Sequence, residues 1–403
     1  MKKILSQHNP WWIGESDPHL EKWNQMKIKW RPKWIDSISL KPFSLNFVLG
    51  PRQIGKTTGI KILIHELLKK EDPKKIFYFN CDFTPDFFTF QKLIDEILNL
   101  KETFGISSAF LFLDEVTAVK DWWRVIKGYI ELGKFKNDVL TVSGSSSLKL
   151  KKQAELFPGR RGFGKDVVVW PLTFNEFLAV HGLKLKLSGN LKKDFVLAKA
   201  YASEIEKLFK KYLMVGGFPL SINQDLRAKE YFLHSIENEL IRADKNLNLV
   251  REIITSIFRK APSPLNYSTI AKDTSGYSYK TVAEYLETMK NLFIIDYAYL
   301  RQDDKVVYRK EKKFFFIDPF IADCFSSLYG EAFLEAALYE WLVQTHLKRK
   351  YGEVYYFRNS YEIDCLARNL KIEVKAGKAH RKYPKGAEII DKEDLPFFLV
   401  AIG

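Results

Sequence analysis

The first part of the chain alternates short, mostly apolar runs with segments whose apolar residues recur at helical spacing. The runs cover residues 45–49, 76–80, 110–113 and 139–143, and their length and lack of alternation are typical of strands buried on both faces. After the first run, the apolar positions within residues 60–68 lie on one helical face. This pattern predicts an α/β fold with a parallel sheet and helices between the strands.

The middle of the chain is predicted to be mostly helical. Residues 192–241 have helical spacing, interrupted at VGGFP, where two glycines and a proline favour a turn. From about residue 248 there follow two short helices, a turn containing Ser and Gly, a longer helix over 278–290 and an alternating pattern typical of a β-hairpin. Helices and hairpin in this order predict a winged helix-turn-helix.

The C-terminal part combines a helix with short strands. Residues 332–350 are typical of a helix, EVYYF, YEIDCLA and KIEVKA are predicted strands, and LPFFLVAIG is predicted to be the last strand. Because side chains alternate between the two faces of a strand, Glu362 and Asp364 share one face, and Glu373 projects together with Lys375. The pattern predicts an α/β domain with carboxylates and a lysine on one face of its sheet.

Composition indicates a globular chain of more than one domain. Its 403 residues are 46% hydrophobic, which exceeds the needs of one core. No apolar run approaches the roughly 20 residues of a membrane span, and the N-terminus lacks the features of a signal peptide. Three scattered cysteines suit a reducing compartment. A cytoplasmic protein without a membrane partner is therefore expected.

The charge balance is strongly basic. Lys and Arg number 64 against 49 Asp and Glu, a formal net charge of +15. Such an excess favours a polyanionic partner through phosphate contacts and counterion release. Lysine enrichment is equally typical of thermophilic proteins with surface ion-pair networks, so charge alone leaves both interpretations open.

The strongest chemical signal follows the first predicted strand. The segment GPRQIGKT matches the phosphate-binding loop pattern and stands between a strand and a helix. Its residues, with the next threonine, are Gly50, Pro51, Arg52, Gln53, Ile54, Gly55, Lys56, Thr57 and Thr58. The two glycines let backbone N–H groups approach phosphates, Lys56 reaches the β- and γ-phosphates, and Thr57 ligates Mg²⁺. These residues predict a site for ATP and Mg²⁺.

Acidic and polar residues at later strand ends complete this prediction. Asp114 is expected to hold the magnesium ion, and Glu115 to polarise a water against the γ-phosphate. Ser143 is a candidate sensor of the γ-phosphate or a plain strand-to-turn serine. Arg160, in the glycine-flanked loop GRRG, would supply positive charge to a transferring phosphoryl group in its own subunit or a neighbour's; its alternative partners are a nucleic-acid phosphate and solvent.

The C-terminal carboxylates are candidates for a second site. Magnesium prefers carboxylate oxygens, and phosphodiester hydrolysis uses a metal-activated water with a cation nearby. Asp364 and Glu373 fit the metal ligands, Lys375 the group that orients water, and Glu340 a further carboxylate. The Glu-x-Lys tripeptide is weak by itself, because residues 311–313 also fit it. An ordinary solvated sheet edge is the alternative.

Several motifs together resemble a family of archaeal and bacterial AAA-type P-loop ATPases that carry a winged helix and a C-terminal nuclease-like domain. They are GPRQIGKTT, FLFLDEV, SGSSS, GRRGF with WPLTFNEF, and YLMVGGFP, in the expected order over nearly the whole chain. The nucleotide-site roles that the resemblance implies fall on Lys56, Thr57, Asp114, Glu115, Ser143 and Arg160. The order of helix, aspartate strand and Glu-x-Lys is similar to that of restriction-endonuclease-like, PD-(D/E)xK, nucleases. Such domains can lose activity while keeping their fold.

Four domains are predicted on this basis. They are a P-loop ATPase core with its lead-in over residues 1–182, a helical lid over 183–246, a winged helix-turn-helix over 247–318 and a nuclease-like domain over 319–403. The lid segment would equally serve as a connecting bundle without contact to nucleotide.

Partners follow from the predicted winged helix. Its longer helix lacks the Arg, Asn or Gln residues that read base edges at its start. The predicted hairpin is far more basic and carries Arg301, Lys305, Arg309, Lys310, Lys312 and Lys313. Contact with nucleic acid, and DNA in particular, is therefore expected through phosphates and not through sequence. A protein-contact module is the alternative.

The expected function is an ATP-binding and ATP-hydrolysing AAA-type ATPase that acts on nucleic acid, with the C-terminal domain as a candidate metal-dependent nuclease. The alternative is a signalling or scaffold ATPase whose winged helix and inert nuclease-like domain bind protein partners. Action of Arg160 on a neighbouring subunit would require an oligomer.

Overall fold

The computed structural model describes residues 1–144, 150, 153–302, 305–377 and 386–403. The chain separates into two compact units, Met1–Trp170 and Pro171–Gly403. Three serines of the SGSSS motif, residues 145–147, lie outside the described residues.

The first unit is built around a five-stranded parallel sheet. Its strands are β1 (Ser44–Leu49), β2 (Ile76–Asn80), β3 (Phe110–Asp114), β4 (Val139–Ser143) and β5 (Asp166–Val168). Its helices are α1 (Lys2–His8), α2 (Pro18–Asn24), α3 (Lys56–Leu67), α4 (Phe87–Thr103) and α5 (Trp122–Glu131). The spatial order is β2-β3-β4-β1-β5, and every neighbouring pair is parallel. The predicted parallel sheet is confirmed.

The sheet order explains why the site residues lie together. The carboxyl ends of parallel strands meet at one edge of a sheet, where ligands bind in such folds. The neighbours β1, β3 and β4 end at this edge with the phosphate loop, Asp114 and Ser143. These three strands are almost entirely buried, as their mostly apolar sequences predict.

The second unit begins with helices and ends with a mixed sheet. Its helices are α6 (Phe174–Val180), α7 (Leu191–Lys199), α8 (Ala202–Val215), α9 (Pro219–Ile222), α10 (Ala228–Arg242), α11 (Leu247–Lys260), α12 (Tyr267–Ala271), α13 (Tyr279–Asn291), α14 (Pro319–Tyr329), α15 (Glu335–Tyr351) and α16 (Leu395–Ile402). Its strands are β6 (Ile295–Gln302), β7 (Lys305–Phe316), β8 (Tyr355–Arg358), β9 (Glu362–Ala367), β10 (Leu370–Val374) and β11 (Glu388–Ile390). They lie in the order β11-β10-β9-β8-β6-β7.

The hairpin predicted to be a wing belongs to this sheet. Strands β6 and β7 pair antiparallel, and β6 also pairs in parallel with β8, Tyr299 opposite Tyr355. The predicted domain boundary at residue 318 therefore falls between strands of one sheet. Pairing between segments so distant in the chain leaves no local sequence signal, and the winged-helix interpretation of α11 to β7 stays a prediction.

The basic charge of the hairpin is smaller at its surface than the sequence suggested. Lys312 and Lys313 are buried. The Lys312 ammonium donates to the carbonyl oxygen of Tyr308 at 3.1 Å, and Lys313 lies among carboxylates. Lys305, Arg309 and Lys310 are exposed, so they carry the charge that solvent meets.

The prediction of a last strand in LPFFLVAIG is wrong. Residues Leu395–Ile402 form α16, and all of them are buried. A helix buried on every side and a buried strand give the same continuous apolar run. Pro396 in the first turn agrees with a helix start, where a proline loses no intrahelical hydrogen bond.

Among the described residues, no helix has both the length and the apolar character needed to cross a membrane.

A buried histidine joins two helices of the second unit and should make stability depend on pH. His346 Nε2 accepts a hydrogen bond from the Phe174 N–H at 2.9 Å, and Nδ1 lies 2.7 Å from the Leu342 carbonyl oxygen. This arrangement requires a neutral ring. Burial and the charge of Arg349 lower the pKa of His346 from 6.5 to about 4.

In the unfolded chain His346 takes up its proton near pH 6.5, and in the folded chain only near pH 4, so its contribution is present above pH 6.5 and is lost as the pH falls towards 4. We expect the difference in unfolding free energy between the parent and His346→Gln to narrow from pH 7 to pH 4.5, by about 3 kcal/mol at most. Urea unfolding at both pH values measures it. The same narrowing in the exposed control His234→Gln would contradict the assignment.

Candidate functional site

The loop between β1 and α3 has the conformation that phosphate binding requires. Gly55, just before α3, has φ 88°, in the left-handed region that favours glycine. At Gly50 a Cβ atom would lie 2.5 Å from the Val169 carbonyl oxygen, so a side chain has no room there. The Lys56 ammonium donates to the carbonyl oxygens of Gly50 and Pro51 at 2.9 and 2.8 Å. The lysine therefore lies over the loop that it is predicted to serve.

Asp114, at the end of β3, collects hydrogen bonds from its neighbours. It is 1% exposed. Its Oδ2 accepts from the hydroxyls of Thr57 at 2.6 Å and Tyr78 at 3.1 Å. Its Oδ1 accepts from the hydroxyl of Ser143 and from the Glu115 N–H at 3.2 Å. The carboxylate is thus fixed beside Thr57, the residue predicted to ligate magnesium with it.

This set of groups fits a nucleotide with Mg²⁺. The hydroxyl of Thr57 and the carboxylate of Asp114 are the hard oxygen ligands that Mg²⁺ prefers. The Lys56 ammonium and the N-terminus of the 12-residue helix α3 both favour phosphate.

Glu115 lies beside the predicted nucleotide site, and Arg160 has other partners. Glu115 directly follows Asp114 and has φ 55°, uncommon for a residue other than glycine and frequent at functional sites. Arg160 is ion-paired with Glu131 and donates to the Pro158 carbonyl oxygen at 3.0 Å. These are surface contacts, and the finger role of Arg160 stays a prediction.

The C-terminal carboxylates converge, but around a lysine that was not assigned to the site. Lys313 on β7 is 2% exposed. Its Nζ lies 3.0 Å from Glu340 on α15, and 2.7 and 2.8 Å from Glu362 and Asp364 on β9. Burial opposes the charged ammonium, but attraction to the three carboxylates outweighs it and raises the pKa of Lys313 well above its ordinary value.

Glu373 and Lys375 form a neighbouring pair. The Lys375 ammonium lies 2.6 Å from Glu373 Oε1, and the Val374 N–H between them donates to Asp364 Oδ2 at 2.9 Å. Burial and the charge of Asp364 raise the pKa of Glu373. Its Oε2 atom is buried without a hydrogen-bond partner among the described residues.

The C-terminal arrangement does not fit a divalent metal. Within the described part of the chain, no group of three or more His, Cys, Asp or Glu side chains is placed to hold one. The space between Glu340, Glu362 and Asp364 is taken by an ammonium group. The metal roles predicted for Asp364 and Glu373 therefore gain no support from this geometry.

Two segments of the chain match known family models. Residues 43–178 match a family model described as an AAA domain. This segment is an AAA-type P-loop ATPase domain. Residues 206–331 match a second model, a domain of unknown function named DUF8612. This match covers part of the predicted lid, all of the predicted winged helix and the first residues of the predicted nuclease-like domain.

Relatives of the chain are uncharacterised proteins. MJ1637 of Methanocaldococcus jannaschii is 29% identical over 263 residues, 62% of this chain and 53% of the relative. A protein of Haemophilus influenzae is 22% identical over 295 residues, 68% of this chain and 67% of the relative. The chain thus spans about half of the first relative and about two thirds of the second.

Solved structures share only a distant likeness with the chain. The Aeropyrum pernix ORC1 protein in complex with DNA has 11% identity and a TM-score of 0.34, covering 70% of this chain and 86% of that one. The Aeropyrum pernix ORC2 protein has 11% identity and a TM-score of 0.38, covering 71% of this chain and 88% of that one. A single-residue variant of Thermotoga maritima RuvB has 16% identity and a TM-score of 0.31, covering 66% of this chain and 83% of that one. With TM-scores this low, the likeness carries no weight for the function of this chain.

The first unit also contains residues near the site that the sequence analysis missed. Tyr78 on β2 donates to Asp114, and His19 Nε2 lies 2.9 Å from the Thr58 hydroxyl. The only sequence signal for Tyr78 is a hydroxyl inside an otherwise apolar run. His19 has none, because it comes from a helix well before the loop.

The close approach at Gly50 can be tested by filling it. We expect Gly50→Ala to destabilise the AAA domain by about 1–3 kcal/mol, because the added methyl group meets the fixed backbone of Val169. Thermal and urea unfolding measure the change. Gly128→Ala, in mid-helix α5 with open space around its Cβ position, is the matched control and should be neutral or stabilising within about 1 kcal/mol. Equal stability of the two variants would contradict the steric argument.

Proposed function

We propose that this chain binds and hydrolyses ATP with its AAA domain and uses the nucleotide state to act on nucleic acid. The observation that carries the proposal is the contact between the Thr57 hydroxyl and the Asp114 carboxylate at 2.6 Å. It joins the first turn of α3 to the end of β3, the two elements from which a P-loop ATPase draws its magnesium ligands.

Each residue then has a distinct task. On nucleotide binding, Lys56 exchanges its contacts with the loop carbonyl oxygens for the β- and γ-phosphate oxygens. Mg²⁺, held by Thr57 and Asp114, would offset the negative charge of the phosphates. Glu115 accepts a proton from the attacking water. Ser143, now bonded to Asp114, is positioned by that bond at the strand end where the γ-phosphate is sensed.

The nucleic-acid part of the proposal rests on the bulge in the β6–β7 hairpin, where the pairing register of the two strands shifts. Arg309 and Lys310 are exposed there, and Tyr308 beside them is 64% exposed. The Arg301 guanidinium lies 5.7 Å from the centre of the Tyr355 ring on the neighbouring strand. Cations next to an exposed aromatic ring suit the phosphates and bases of a nucleic acid. Base-specific reading is not part of the proposal.

A second candidate function is a signalling or scaffold ATPase whose C-terminal domain binds protein partners and cuts nothing. The observation that favours it is the Lys313 ammonium among the carboxylates of the nuclease-like region. Under this alternative the hairpin charge serves an acidic protein surface, and DNA binding is absent or insensitive to salt.

The ATPase assignment is tested by Lys56→Ala and Glu115→Gln. We expect Lys56→Ala to lose ATP binding and to lower turnover by about 10²-fold or more, because the phosphates lose their cation. Glu115→Gln should keep ATP binding and lower turnover by about 10²–10⁴-fold, because it loses the base. Fluorescent-nucleotide binding and phosphate release measure the two effects. Lys70→Ala, at an exposed lysine beyond α3, is the control, and undiminished turnover in Lys56→Ala would refute the site.

DNA binding is tested at the hairpin bulge. We expect the double variant Arg309→Ala and Lys310→Ala to weaken DNA binding at all sequences and to lower the salt slope of log K by about 2, about one per phosphate contact. Fluorescence anisotropy at several salt concentrations measures this. The matched control removes Lys134 and Lys136, two exposed lysines of the first unit. A parent chain with a slope near zero would favour the scaffold function.

A further inference from the structure

We propose that the ammonium group of Lys313 takes the place of a divalent cation in the C-terminal carboxylate cluster, so that the cluster excludes metal while Lys313 is present. The cluster consists of Glu340, Glu362, Asp364 and Glu373. The proposal concerns the second unit alone and does not depend on the ATPase function.

The geometry around Lys313 matches an ammonium ion. An ammonium has three N–H donors and no acceptor, and Nζ lies within 3.0 Å of three separate carboxylates. The lysine comes from β7, and its partners come from α15 and β9. One ammonium group therefore contacts three carboxyl groups from two elements, and each of its three N–H donors has an acceptor within reach.

The carboxylate oxygens have other donors as well. Gln344 Nε2 donates to Glu340 Oε1 at 2.8 Å, and the Val374 N–H donates to Asp364 Oδ2 at 2.9 Å. Glu373 Oε1 pairs with Lys375 at 2.6 Å. Magnesium requires several oxygens at about 2.0–2.1 Å in octahedral geometry. An ion that shared Asp364 Oδ1 with Lys313 would lie within a few ångströms of a positive charge.

One carboxylate oxygen of the cluster has no such donor. Glu373 Oε2 is buried and has no hydrogen-bond partner among the described residues. A single carboxylate oxygen does not make a magnesium site, and Glu373 Oε1 and Asp364 Oδ2 already accept from Lys375 and from the Val374 N–H. The cluster is therefore complete as an ion-pair network and incomplete as a metal site.

Removal of the Lys313 ammonium should allow a divalent cation to enter the carboxylate cluster. Lys313→Met keeps an unbranched side chain of similar length but leaves three carboxylates without their cation. Such a buried negative cluster is costly unless a cation enters or a carboxylate takes up a proton, and added divalent metal favours the first of these. The variant should therefore acquire a divalent-cation site at the position that the ammonium occupies.

The test uses the full chain without nucleotide, with Thr57→Ala in every protein so that the AAA domain contributes no metal site. The probe is Mn²⁺, followed by the electron paramagnetic resonance signal of the free ion and by thermal unfolding. Five proteins are compared. The parent carries Thr57→Ala alone, and the other four add Asp364→Asn, Lys313→Met, Lys313→Met with Asp364→Asn, or Lys312→Met. The last is the matched control, since Lys312 is the buried neighbour of Lys313 in the chain.

We expect the parent, Asp364→Asn and Lys312→Met to bind Mn²⁺ equally weakly. Lys313→Met should bind Mn²⁺ about tenfold or more tightly than the parent and unfold at a higher temperature when Mn²⁺ is added. The double variant Lys313→Met with Asp364→Asn should lose this gain in affinity. Saturable Mn²⁺ binding by the parent that Asp364→Asn abolishes would overturn the proposal, as would a folded Lys313→Met without the gain. If Lys313→Met does not fold, the comparison of the parent with Asp364→Asn still decides between exclusion and binding.

Discussion

A carboxylate buried at the end of a central strand must find donors inside the protein, because an unpaired charge in the interior is costly. Asp114 finds three of them on β2, β4 and α3, and the N–H of the next residue, Glu115, is the fourth. Those donors are available only if the strands are parallel and in the observed order. The requirement of one side chain therefore fixes the first turn of α3, the end of β4 and the loop that holds Lys56.

The AAA domain was predictable because its signals are local. Strand, glycine loop, lysine and helix follow one another within a short segment, and Asp114 directly ends an apolar run. The donors that complete the site are not local. Tyr78 reaches Asp114 only because β2 lies next to β3, and His19 reaches Thr58 from a helix that precedes the sheet. A pattern read along the chain does not contain these pairings.

The C-terminal unit shows the same limit more strongly. The local tripeptide favoured Lys375, but Lys375 pairs with Glu373, and the cation among the other carboxylates is Lys313, from a strand assigned to another domain. Glu362 and Asp364 lie on one face of β9, as alternation along a strand predicts, and both contact Lys313. Which cation they meet depends on sheet order. The continuous apolar run of α16 is ambiguous for a different reason, since complete burial removes periodicity.

Pairing of β6 with β8 has a consequence for how this protein can diverge among relatives. A recombination event that exchanged only the segment after residue 318 would leave β6 paired with β7 but remove its other partner, β8. Unless the new segment supplied a matching strand, this edge of β6 would be open, which invites aggregation. The same event would separate Lys313 from the carboxylates that it neutralises. The stretch from β6 to the C-terminal strands is therefore expected to be inherited as one block, although its parts look in sequence like separate modules.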